Sequence, residues 1–196
     1  MSSFKNCIFV FLRHGDANQN NNDLLRELTQ KGINQVLNFR KNHGDFDIFI
    51  SSPAKRAVQT TQIIMNTNKD EDIIKLDILY SLPNHKESNI LIDMLKRNGP
   101  LSLKDYYRIE KEKNFDLLMK IGIEGTNKLG EVLYSVNRQK ILIVAHSVTI
   151  QSLVFSMFST SEVVRNIALN ETLSECQAFK IVTDNEGKVS SAYIIS

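Results

Sequence analysis

Two unbroken apolar runs stand out from an otherwise amphipathic chain. Cys7-Ile8-Phe9-Val10-Phe11-Leu12 and Ile141-Leu142-Ile143-Val144-Ala145 are short and rich in β-branched and aromatic residues, the pattern of strands buried on both faces. Each run stops at polar residues, the first at Arg13-His14-Gly15-Asp16 and the second at His146-Ser147. Between them the spacing switches back and forth. Ile33, Val36, Leu37 and Arg40 recur at helical intervals, with Thr29 as N-cap, Leu28 and Ile33 as a hydrophobic staple, and His43-Gly44 as the stop. Phe46–Ile50 reads as a second strand, followed by a helix that Ser52 is expected to cap and Pro53 to open. Ile73–Tyr80 reads as a third strand, ended by Pro83.

Further helices are expected over Glu87–Arg97, which Asn98-Gly99-Pro100 ends, and over Ser102–Lys113, where Ser102 and Asp105 fit a capping box. A long helix follows over Phe115–Val136, in which Gly122, Gly125 and Gly130 weaken the pattern or mark close packing. Val148–Phe158 continues as an apolar helix, and Ala178–Val182 with Val189–Ile195 form a hairpin about Asn185-Glu186-Gly187. Strands alternating with helices predict an α/β layered fold with a mostly parallel sheet.

Composition narrows the function without naming it. At 196 residues, 42% hydrophobic and 23% charged, the chain is expected to be one domain spanning 1–196. A formal net charge of +2 gives no general attraction to nucleic acid or to an anionic membrane, so any anion site must be local. Cys7 and Cys176 are too few for a disulfide framework, which fits a reduced, cytoplasmic protein. No signal peptide or membrane span is read in the sequence. None of His14, His43, His85 and His146 pairs at metal-ligand spacing, and neither a metal nor a cofactor is expected.

The chemistry gathers at the ends of the apolar strands. In open α/β sheets ligands bind at the carboxyl ends of the strands, where Arg13, His14 and His146 stand. Lys55 and Arg56 fall in the first turn of the second helix, where the helix dipole disfavours cations unless an anion binds. Two guanidinium groups offer about ten N–H donors, a good match to a phosphoryl group. A neutral His14 among them can attack phosphorus and hold the group covalently, while His146 donates to its oxygens.

Leu12-Arg13-His14-Gly15, Leu28-Thr29-x-x-Gly32-x-x-Gln35, Ser51-Ser52-Pro53-x-x-Arg56-Ala57-x-Gln59-Thr60 and Val144-Ala145-His146-Ser147 resemble, in order, the motifs of the histidine phosphatase (phosphoglycerate mutase-like) superfamily. The resemblance implies a three-layer α/β/α sandwich, with His14 as the phosphorylated residue and Arg13, Arg56 and His146 completing the phosphate pocket. It also makes Asn20, in the polar loop after the first motif, a phosphate-binding candidate. The Asn-x-x-x-x-Phe-x-Gly and Glu-Arg-x-x-Gly segments of phosphoglycerate mutases are missing. Asp16-Ala17 with Asp23-x-x-Arg26-x-Leu28-Thr29 is instead similar to the SixA-type phosphohistidine phosphatases. Residues 83–114 are additional to those small enzymes and are expected to form a specificity or cap-like insertion.

An ester leaving group also needs a proton. Relatives place the donor between the third strand and the next helix, where Glu87 is the carboxylate and His85 its competitor. The expected activity is a metal-independent phosphomonoester hydrolase acting on a phosphorylated small molecule or phosphoprotein. The alternatives are a phosphohistidine phosphatase, a phosphoglycerate mutase, and a non-catalytic module that binds a phosphorylated ligand.

Overall fold

The computed structural model describes residues 4–110, 112–134 and 136–196. Six strands form one sheet: β1 (Ile8–Arg13), β2 (Ile48–Ser51), β3 (Ile73–Lys75), β4 (Lys140–Ala145), β5 (Ala178–Thr183) and β6 (Val189–Ile195). Their order across the sheet is β3-β2-β4-β1-β5-β6. The pairings β1–β4, β4–β2 and β2–β3 are parallel, whereas β5 is antiparallel to both β1 and β6. Only β5 therefore runs against the rest, so the sheet is mixed and, as expected, mostly parallel.

Successive residues of a strand face opposite sides, so two fully buried strands divide the core in two. Phe9, Phe11, Ile141 and Ile143 face one layer, built with α5 (Glu112–Val132), α6 (Ser147–Met157) and α7 (Glu162–Asn170). Val10, Leu12, Leu142 and Val144 face the other, against Val36 and Phe39 of α1 (Gln30–His43) and Ala57 and Ile64 of α2 (Lys55–Met65). Each such side chain contributes about 1.5–3 kcal/mol by leaving water. The result is the three-layer α/β/α arrangement.

Several boundaries differ from those the sequence pattern suggests. The third strand stops at Lys75, and a short 3-10 turn over Asp77–Leu79 follows, which buries Ile78 and Leu79 at a bend that strand alternation cannot express. Helix α2 starts at Lys55 behind Ala54, with no side-chain cap, so Ser52 does not cap it. Helix α7 buries only Val164 and Ala168, too few apolar positions for the sequence pattern to predict it. Thr29 does cap α1, accepting the Gly32 N–H at 3.0 Å.

Residues 83–114 carry α3 (His85–Asn98) and α4 (Leu103–Ile109). They share a third apolar cluster in which Leu91, Met94, Leu103 and Tyr106 pack with Leu118 and Ile121 of α5 and with Val148 at the start of α6. Among the described residues no helix is long and apolar enough to cross a membrane.

The contact between α5 and α6 rests on Gly122, because a Cβ there would run into the Ser152 carbonyl oxygen, whereas one at Gly130 would meet nothing within 4 Å. Gly122→Ala is expected to lower unfolding stability by about 1–3 kcal/mol. Gly130→Ala is expected to leave it unchanged or raise it by up to about 1 kcal/mol through helix propensity. A urea midpoint that falls in Gly122→Ala and does not fall in Gly130→Ala checks this.

Candidate active site

The register of β1 against β4 sets the site. Arg13 pairs with Ala145, so His14 and His146 follow at adjacent strand ends. Their ring centroids are 5.1 Å apart. Ser51 pairs with Val144 in the same way, which brings Ser52 and the start of α2 alongside. After His14 the chain presses onto the first turn of α1. A Cβ on Gly15 would lie 2.8 Å from the Gly32 carbonyl oxygen, and one on Gly32 would meet the Asp16 carbonyl. Both glycines are needed for this approach.

His14 is buried and its protonation is fixed by its neighbours. Its Nδ1–H donates to the Gly15 carbonyl at 2.7 Å, leaving Nε2 as an acceptor for the Nε–H of Arg56 at 3.0 Å. Burial, reinforced by the Arg56 charge, pushes its pKa down to about 3, so the ring is neutral near pH 7. Nη2 of Arg56 also donates to Nδ1 of His146 at 3.2 Å. Since a guanidinium can only donate, the His146 proton sits on Nε2, which donates to Ser52 Oγ at 3.0 Å. Burial and then Arg56 hold the His146 pKa well below the usual imidazole value. Ser52, expected as a helix cap, instead orients an imidazole.

Arg56 has further partners that the sequence pattern did not assign to the site. Its Nη1 donates to the Asp23 carbonyl at 2.6 Å and its Nη2 to Asp23 Oδ2 at 2.9 Å. Tyr80, just past the 3-10 turn, donates its hydroxyl to Asp23 Oδ2 at 3.2 Å and packs edge-on against the His146 ring. Asp23 has a lowered pKa: burial raises it, but the Arg56 charge and bonds from Arg26 and Arg56 outweigh that. Asp23 and Arg26 lie in a motif fragment legible in the sequence, whereas Tyr80 has no motif to announce it.

The other candidates are placed differently. Arg13 directs its fork at the Leu173 carbonyl and Glu175 Oε1, both at 2.6 Å, and acts on the two imidazoles through its charge. Asn20 Oδ1 accepts the Asn22 N–H at 2.9 Å within the exposed loop, a turn-shaping bond. Glu87 lies in the first turn of α3 and binds Lys120 Nζ of α5 at 2.6 Å. The His85 side chain lies outside the described residues. Lys55, next to Arg56, pairs with Glu27. Among the described residues no group of three or more His, Cys, Asp or Glu is placed to hold a metal ion.

Two neutral imidazoles and a buried guanidinium gathered at the carboxyl ends of parallel strands offer N–H donors suited to an oxyanion beside an imidazole lone pair. The family model of the histidine phosphatase superfamily (branch 1) matches residues 9–81. No curated protein matches the sequence. Among solved structures, the phosphoserine phosphatase of Entamoeba histolytica bound to 3-phosphoglyceric acid is 17% identical, with 95% of this chain and 96% of that one covered and a TM-score of 0.63. The phosphoglycerate mutase of Bacillus anthracis is 16% identical, covering 100% and 94%, with a TM-score of 0.62. The protein histidine phosphatase SixA in complex with tungstate is 15% identical, covering 96% of each chain, with a TM-score of 0.56. These likenesses show a shared phosphoglycerate mutase-like fold.

A histidine whose pKa is depressed by folding binds its proton more weakly in the native state than in the unfolded one. The stability it contributes is present above pH 6.5 and is lost as pH falls toward the folded value of about 3. Stability should therefore fall by up to about 1.4 kcal/mol per pH unit for such a group below pH 6.5. Urea unfolding at pH 7 and pH 5 should show that loss, and His14→Gln should reduce it.

Proposed function

From the premise that residues 9–81 carry the signature of the histidine phosphatase superfamily (branch 1), we propose that the protein is a metal-independent phosphomonoester hydrolase working through phospho-His14. The observation that carries this reading is the state of His14. Its Nδ1 proton is committed to Gly15, and its Nε2 lone pair points at the donors that would receive a phosphoryl group. In the first step Nε2 attacks phosphorus, the P–O bond breaks, and its electron pair leaves with the alcohol oxygen. In the second, water attacks phosphorus, loses a proton, and returns His14 neutral with release of orthophosphate. Arg56 and Arg13 neutralise charge on the equatorial oxygens, work done by magnesium in other phosphoryl-transfer sites, while neutral His146 donates a hydrogen bond to them. Asn20 is the outer candidate for phosphate. We read the whole of 1–196 as one such domain, with residues 83–114 as the cap that sets specificity. Val148, which packs with that segment, lies two residues after His146. A reduced, cytoplasmic setting suits the two buried, free cysteines.

The leaving-group proton divides two readings. Glu87 remains the carboxyl proposed for it, and must first release Lys120. That ion pair favours a second reading, in which the substrate is a phosphoramidate such as phosphohistidine. Its nitrogen leaving group is readily protonated before the P–N bond breaks, so no enzyme acid is required.

Release of phosphate from p-nitrophenyl phosphate should fall at least about 10³-fold in His14→Ala. It should fall about 10²-fold in Arg56→Lys, and not change with a chelator present. Equal rates in wild type and His14→Ala would leave a binding module, and fast 2,3-bisphosphoglycerate-primed isomerisation of 3-phosphoglycerate would leave a mutase. Glu87→Gln should slow an alkyl phosphate such as phosphoserine about 10²-fold while sparing p-nitrophenyl phosphate. Slowing of neither, with fast turnover of phosphohistidine, selects the phosphoramidate reading.

A further inference from the structure

All three nitrogens of the Arg56 guanidinium are occupied in the ligand-free site. Nε serves His14 Nε2, Nη1 serves the Asp23 carbonyl, and Nη2 serves Asp23 Oδ2 and His146 Nδ1. A lone pair that accepts the Arg56 proton cannot at the same time attack phosphorus. Arg56 must therefore shift off Nε2 before phosphoryl transfer, and its charged anchor is Asp23. Phosphoryl oxygens and a carboxylate are like ligands for a guanidinium, so the two compete for the same donors.

We infer that Asp23 is a positioning residue that sets phosphate affinity: it parks Arg56 across His14 in the ligand-free enzyme and yields it to the incoming phosphoryl group. The inference rests on the phosphatase reading above. The surroundings of Asp23 suit an exchange that leaves the loop folded. Arg26 holds Asp23 Oδ1 at 3.1 Å while binding the Asn18 and Ala17 carbonyls of the same loop at 2.7 and 3.3 Å. Tyr80 holds Oδ2 at 3.2 Å from the other side. A carboxylate that gives up Arg56 keeps these two partners. The Asp23 side chain is 39% exposed against 5% for Arg56, so the carboxylate has room to move outward. The site therefore keeps a neutralised cation and a capped nucleophile until an anion displaces the carboxylate, which disfavours weak or monoanionic ligands.

The test compares wild type with Asp23→Asn, which keeps the shape and removes the charge, and with Asp23→Ala, which removes both. Asp23→Glu serves as the charge-retaining control, and thermal unfolding confirms that each variant is folded. Competitive inhibition by inorganic phosphate is measured against p-nitrophenyl phosphate. The expected result is that Ki and KM both fall about three- to fivefold in the two uncharged variants, with kcat unchanged or lower. Asp23→Glu, which keeps the charge on a longer arm, should lower Ki less than either uncharged variant. A Ki that is unchanged or higher in folded Asp23→Asn and Asp23→Ala overturns the inference, because Asp23 would then be a support for Arg56 in the bound state. A wild type that neither turns over p-nitrophenyl phosphate nor binds phosphate removes the phosphatase reading, and the inference with it; a wild type that does both leaves the variant ratio as a test of Asp23 alone.

Discussion

An arginine residue that is only 4% exposed dominates the architecture of the site. An isolated buried charge is costly, and what makes Arg56 tolerable is an acceptor for each of its three nitrogens. Those acceptors are drawn from far apart in the chain: His14 after β1, Asp23 in the loop that follows, and His146 after β4. Removing any one leaves a buried donor unsatisfied. The pocket and the local stability of the strand ends are thus one problem, solved by the same contacts.

The same dependence explains why so many motif residues never face the pocket. Gln35 accepts the Asp16 N–H, Gln59 accepts the Leu28 N–H, Thr60 accepts the Gly15 N–H, and Thr29 donates to Asp16 Oδ2. Together they peg the loop from Gly15 to Thr29 onto α1 and α2. That loop delivers Asp23 to Arg56, so residues without direct chemistry keep the arginine's partners in register.

Much of this was legible in the sequence because burial leaves a strong pattern. The two apolar runs became β1 and β4 within a residue at either end, and His14 and His146, which follow them, stand side by side with ring centroids 5.1 Å apart. Thr29 capped α1 and Ser102 capped α4, each through a side-chain oxygen whose spacing is local. The losses have equally physical causes. Ile73–Tyr80 kept apolar residues through a bend, so periodicity ran on past the true strand end at Lys75. Ser52 has the composition of a cap, but a partner 94 residues away claims its hydroxyl. Tyr80 and the Asp23–Arg56 pair reach the site through tertiary geometry, which leaves no spacing rule behind. The ion pair of Glu87 with Lys120, made across two helices, was hidden for the same reason.

The place of β1 in the sheet governs when such a site can exist at all. Ile8 pairs with Lys140 on one side and with Val182 on the other, and the Arg13 fork is held by Leu173 and Glu175. During synthesis the first strand therefore emerges long before either of its neighbours, with nothing to pair its backbone. Non-local pairing of this kind is slow and exposes strand edges. A chain that stops short of Lys140 carries Arg13 and His14 without the strand that aligns them, so the site cannot assemble until β4 and β5 have docked on β1.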